Sequence, residues 1–236
     1  MGWTWPTGPE ELERLQVELR EAADAEPPWE PTRSGSVGGA FFCAPTGSPG
    51  RAGEPAWAAA VAIGPRGRPR EAVVAGVAGA AYVPGLLALR EGPLLERAVR
   101  ALPEPPDVLL VNATGRDHPR GAGLALHLGA ALGLPTVGVT DRPLLAEAEE
   151  PGPERGDLAP LLLAGRPVGV VLRTRRRTRP LVVHAAWRTD PDVAAAVVLA
   201  ACGAARTPEP LRAARRLARW SRAAAEGRLP SGRQGG

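Results

Sequence analysis

Residues 107–120 read Asp-Val-Leu-Leu-Val-Asn-Ala-Thr-Gly-Arg-Asp-His-Pro-Arg, and residues 82–91 read Tyr-Val-Pro-Gly-Leu-Leu-Ala-Leu-Arg-Glu. The apolar run from Asp107 to Val111 has the pattern of a strand buried on both faces. It empties into a polar loop containing Gly115, and many α/β enzymes present functional side chains at such a C-terminal strand end. The gap between the two stretches holds one helix, predicted over 86–102. Beyond the loop the spacing predicts a helix over 121–132 and a strand over 135–140. This alternation implies parallel strands joined by crossover helices.

Upstream, β-like runs at 37–44, 56–63 and 71–79 are separated by Gly/Pro/Arg-rich turns at 45–55 and 64–69, the pattern of an antiparallel meander. An amphipathic helix is expected over 8–25, with Leu12, Leu15, Leu19 and Ala22 on one face, followed by a linker at 26–34. Downstream, 147–156 reads as mobile, strands are expected at 168–173 and 181–186, and helices at 193–202 and 209–225. Residues 229–236 read as a disordered tail, so one domain is expected over 1–228. The resulting fold class is α/β: a mixed sheet of three antiparallel strands followed by parallel β/α units.

The chain has 236 residues, 44% hydrophobic and 4% aromatic, enough for a sizeable core built on Ala, Val and Leu. All 29 basic residues are arginine, a usage that follows GC-rich coding, so composition says little about function. A net charge of +4 permits a nucleic-acid partner without requiring one. Arginines cluster at 173–179 and 206–222. Cys43 and Cys202 stand apart in apolar surroundings, as free thiols do in a reducing compartment. No apolar run is long enough to span a membrane. The start, with Pro6, fits neither a signal peptide nor a myristoylation pattern. A cytoplasmic protein is expected, with no membrane partner.

Ala81-Tyr82-Val83-Pro84-Gly85 with Leu89-Arg90-Glu91, then Val111-Asn112-Ala113-Thr114-Gly115 with His118-Pro119-Arg120 and Gly123, resemble the endonuclease V family in register. Ala125, His127 and Gly129, the strand Pro135 to Val139, and Thr207 to Pro210 continue the likeness. The resemblance implies a ribonuclease H-like fold and metal-dependent nicking of DNA or RNA near deaminated purines such as inosine, in DNA repair. It implies that Tyr82, Val83, Pro84 and Gly85 form a strand-separating wedge. Gly115, His118 and Arg120 would then meet the nucleic acid.

The same register shows losses. Phe41 falls where the family carries its first metal carboxylate, and no Asp or Glu occurs between Glu30 and Glu54. Asn112 replaces the second carboxylate, Asp141 a lysine, and Trp187 a histidine. Glu91 survives. A Mg²⁺ site wants several oxygen anions, and two replacements reduce a formal charge of about −3 to about −1. Asn112 offers one neutral carbonyl. His184 lies three residues from Trp187 and so points to the other face of a strand. The sequence therefore predicts a degenerate family member, a pseudoenzyme without a metal cofactor that keeps nucleic-acid binding. The alternatives are an active, Mg²⁺-dependent endonuclease and a partner-binding scaffold without nucleic acid.

Single residues carry competing readings. Glu91 is either a vestigial ligand, with Asn112, or a helix acid paired with Arg90 or Arg120. Arg120 either touches phosphate or braces its loop. His127 reads as a core histidine. Trp187 either stacks on a base or fills the space of the former site.

Overall fold

The computed structural model describes residues 3–32, 35–65 and 68–228. The expected tail at 229–236 lies outside them. In chain order the elements are α1 (Pro9–Ala25), β1 (Val37–Cys43), β2 (Pro55–Ile63), β3 (Arg70–Val77), α2 (Leu87–Arg100), β4 (Val108–Val111), α3 (Leu124–Leu132), β5 (Thr136–Thr140), β6 (Leu158–Leu163), β7 (Arg166–Leu172), β8 (Leu181–Ala185), α4 (Pro191–Ala201) and α5 (Glu209–Ala225).

The eight strands form one sheet in the order β3-β2-β1-β4-β5-β8-β7-β6. β1, β2 and β3 are an antiparallel meander, and β1, β4 and β5 run parallel at the centre. β8 then pairs antiparallel with β5 and β7, and β6 closes the far edge antiparallel to β7. The mixed sheet agrees with the fold class read from sequence, although only β4 and β5 continue in parallel.

β6 was not expected. Its sequence, Leu-Ala-Pro-Leu-Leu-Leu, carries Pro160, which argues against a central strand. At the sheet edge a missing N–H costs no ladder bond, so the proline is tolerated there. The stretch expected to be mobile is instead pinned. Arg173, buried, donates to the Gly152 and Pro151 carbonyls at 2.9 and 2.8 Å and pairs with Glu150 at 2.7 Å.

Each face of the sheet buries its own layer. Ala40, Ala58, Ala60, Leu109 and Val111 pack under α2 and α3, with α1 outside them through Leu12 and Leu19. On the other face Val108, Leu110, Val137 and Val183 meet α4, while α5 lies across β1 and β2. The alanine-rich β2 is buried on both sides. Its small side chains let α2 and α5 sit close to the sheet, which compensates for the scarcity of aromatic volume.

The parallel centre positions the site. The C-terminal ends of β1, β4 and β5 open on one side of the molecule, where the last side chains of three neighbouring strands converge.

Candidate functional site

Phe42 from β1, Asn112 after β4 and Thr140 from β5 form the floor of a cleft of about 310 Å³. Glu91 enters it from the first turns of α2, and Tyr82 to Gly85 form its rim, with Leu144 opposite. Tyr82 and Val83 are 59% and 43% exposed, an apolar tip held out in water.

That rim is braced from beneath. Gly85 adopts φ +80°, a conformation costly for any residue with a Cβ. Its carbonyl accepts from His118 Nε2 at 3.0 Å, Gln16 Nε2 at 3.3 Å and Arg120 at 3.5 Å. Arg120 Nε also donates to Gln16 Oε1 at 2.7 Å, and its guanidinium lies 3.4 Å from Glu13. Arg120 is thus a brace between α1 and the rim rather than a free phosphate ligand. Gly115 is buried, and a Cβ there would overlap the Ala185 carbonyl. Of the loop residues expected to meet a ligand, His118 reaches the cleft, while Gly115 and Arg120 support it from behind. Gln16, buried on α1, lies on the cleft and had no sequence signal beyond being polar on an otherwise apolar helix face.

Glu91 has neither of its expected partners. Arg90 turns away and is buried, pairing with Glu54 and donating to the Arg51 and Ala80 carbonyls at 3.0 and 2.9 Å. No hydrogen bond supports the Glu91 carboxylate among the described residues. Loss of hydration pushes it up to about 8, against a weaker opposite pull from Arg90. Glu91 therefore holds its proton to higher pH than an ordinary glutamate.

Two expectations about side-chain placement are corrected. The ring beside Glu91 and Asn112 belongs to Phe42, not Phe41. Phe41 points to the opposite face, against Leu217 and Ala218 of α5, with the Arg215 guanidinium 5.6 Å from its ring centre. Neighbouring residues on a strand alternate faces, so register to within one residue decides which ring enters the cleft. Trp187 is not in the cleft. It is buried in the core under α3, edge-on to Trp3 at 6.4 Å, where it can neither stack on a base nor occupy the site. Asp141 lies outside as well, paired with Arg206 at 2.7 Å.

The donor set does not fit a divalent metal. Among the described residues Glu91 is the one carboxylate lining the cleft, Asn112 is a neutral amide, and Phe42 is apolar. Among the described residues no three His, Cys, Asp or Glu side chains group closely enough to hold an ion. A hard dication needs several oxygen anions to offset its dehydration.

One buried acid went unnoticed in the sequence. Asp117 is fully buried, and its carboxylate accepts from the backbone amides of Leu144, Leu145 and Ala146 at 2.7, 2.9 and 2.9 Å. It thereby fixes the segment that presents Leu144 to the cleft. His184 Nδ1 stands 3.7 Å from the same carboxylate. Its Nε2 meets Thr140 Oγ1 at 2.8 Å, and that hydroxyl donates onward to the Arg142 carbonyl at 2.8 Å. Burial disfavours a second proton on His184, while Asp117 pulls the other way.

Burial pushes His118 and His127 down to about 4. His127 is a core residue, as expected, stacked on Trp5 at 4.1 Å. Each histidine binds fewer protons folded than unfolded between about 4 and 6.5, so stability falls as pH drops through that window. Glu91 acts oppositely, holding an extra proton when folded between 4.5 and about 8. With His184, lowered likewise, three histidines outweigh one glutamate on the acid side, at about 1 kcal/mol per pH unit for each group. Stability in denaturant titrations is expected to peak near pH 6.5, and Glu91→Gln to remove the alkaline decline alone. A stability that keeps rising below that pH contradicts the assignment.

The endonuclease V family model matches residues 47–216. The endonuclease V of Streptomyces avermitilis is 38% identical over 217 residues, 91% of this chain and 93% of the relative. That of Azotobacter vinelandii is 44% identical over 137 residues, and the matched part spans 58% of this chain and 62% of the relative's length. The crystal structure of the Streptomyces avermitilis endonuclease V superposes with a TM-score of 0.83 at 37% identity, covering 94% of this chain and 96% of that one. The Ciona intestinalis endonuclease V, solved with a 24mer DNA containing an inosine followed by a ribo-adenosine, shares the fold at a TM-score of 0.70. It is 21% identical, over 90% of this chain and 96% of that one.

Proposed function

The chain belongs to the endonuclease V family, and from that membership we propose that it binds inosine-containing nucleic acid in the cleft without hydrolysing it through a metal. The observation that carries this reading is that, among the described residues, Glu91 is the single carboxylate in a cleft otherwise lined by neutral groups. The Ciona intestinalis relative is solved on an inosine-containing DNA strand, and that supplies the ligand to test. Tyr82 and Val83 at the rim offer apolar faces to an opened base step. Asn112, Thr140 and a protonated Glu91 offer neutral donors and acceptors to a base edge.

The test is an inosine-containing oligonucleotide in millimolar Mg²⁺ or Mn²⁺. Binding without a nick is expected, with Tyr82→Ala weakening affinity about tenfold through lost stacking. Turnover that Glu91→Ala abolishes would overturn the reading. Active nicking is the second reading, and the near full-length likeness to the Streptomyces avermitilis endonuclease V favours it. A protein that binds no oligonucleotide at all would instead be a scaffold for another partner.

A further inference from the structure

Two arginine-rich segments, distant in sequence, meet on the side of the sheet opposite α2. α5 carries five arginines and one glutamate. Its apolar side, Leu211, Ala213, Ala214 and Ala218, is buried against β1 and β2. Its other side presents Arg212, Arg215, Arg216, Arg219 and Trp220 to solvent. Glu209 is shared by Arg212 and Arg216, and no carboxylate among the described residues pairs with Arg215 or Arg219. The exposed turn after β7 brings Arg175 into the same groove as Arg212, a space of about 800 Å³.

This concentration of charge is not explained by folding. Like charges one helical turn apart repel and destabilise an isolated helix, and Arg219 is held below the usual arginine range by partial burial and by Arg215 and Arg222. Trp220, 58% exposed, is the one large aromatic of α5 and lies on this cationic side instead of the buried one. A guanidinium presents a planar fork to phosphate, and an exposed indole presents a face to a base.

We propose that Arg175, Arg212, Arg215, Arg216, Arg219 and Trp220 form a second binding surface for single-stranded nucleic acid, holding its phosphates and stacking one base on Trp220. α2, which carries Glu91, packs on the other face of β1 and β2, so this surface does not depend on the cleft reading. The combination of Arg175, Arg215 and Arg219, which no carboxylate among the described residues pairs, with a free aromatic face favours a nucleic acid over an acidic peptide, which offers nothing to stack.

The test uses the full chain and a labelled oligonucleotide lacking inosine, followed by anisotropy across a salt series. Arg215→Gln/Arg216→Gln/Arg219→Gln is expected to weaken binding at low salt by about tenfold or more, and to flatten the slope of log K against log salt by about 2. Oligonucleotide should quench a share of the tryptophan emission that Trp220→Phe lacks, and this readout decides if the triple variant does not fold. The proposal is overturned by a triple variant within twofold of wild type with the same salt slope, by identical quenching in Trp220→Phe, or by equal displacement with polyglutamate.

Discussion

Phe42→Asp combined with Asn112→Asp is expected to give a protein whose melting temperature rises by about 3–5 °C in millimolar Mg²⁺ or Mn²⁺, where the wild type shows no response. Both positions line the cleft with Glu91, so the two changes place three carboxylates around one space. Their mutual repulsion lowers stability without metal, and a bound dication relieves it. An ion present at ten times its dissociation constant stabilises the folded state by about 1.4 kcal/mol. The control is Phe41→Asp with Asn112→Asp. Phe41 faces α5 and supports Leu217, Ala218 and the Arg215 guanidinium, so this pair is expected to lose stability and gain no metal response. A metal-dependent rise in the wild type would defeat the reading that the cleft holds no metal, and an equal rise in the control would defeat the assignment of Phe42 to it.

Asp117→Ala is expected to cost about 4 kcal/mol, a fall of roughly 10 °C in melting temperature. The substitution strips three backbone amides, those of Leu144, Leu145 and Ala146, of a charged acceptor. Hydrogen bonds to a charged acceptor contribute about 1.5–3 kcal/mol each, and relaxation of the segment, exposed at Leu144 and Leu145, toward water recovers part of that. Asp117→Asn restores little, because one of its two ends then presents N–H to N–H. Guanidinium unfolding gives the energy, and limited proteolysis near Leu144 reports whether the segment is released. A loss under about 1 kcal/mol would mean that the segment is held by its own packing.

Much of the cleft could be read in advance because its parts are local. Tyr82 to Gly85, Glu91, Asn112 and His118 line or rim it, each on or beside a motif of fixed spacing. The misplacements concern long-range geometry. Arg120 carries two readings in the sequence, phosphate contact or loop brace, because nothing in its neighbourhood announces Gln16 or Glu13, more than a hundred residues upstream. Arg173 belongs by sequence to the arginine cluster at 173–179, yet it is buried and ties down 150–152. β6 was hidden by Pro160, whose tolerance depends on standing at the sheet edge.

From the sequence alone follow the family likeness, the three-strand meander leading into a β/α centre, and the absence of two acids from their expected places. These depend on residue identity at fixed spacing, which needs no knowledge of partners. Tertiary structure decided that Phe42 and not Phe41 faces Glu91, that Trp187 is core, that Asp117 holds the far wall, and that two arginine segments share one groove. The physical reason is the same in each case. A strand turns alternate side chains to opposite faces, so a single residue of register moves a ring from cleft to core. Likewise, a buried charge takes its meaning from the groups that the chain brings to it from far away.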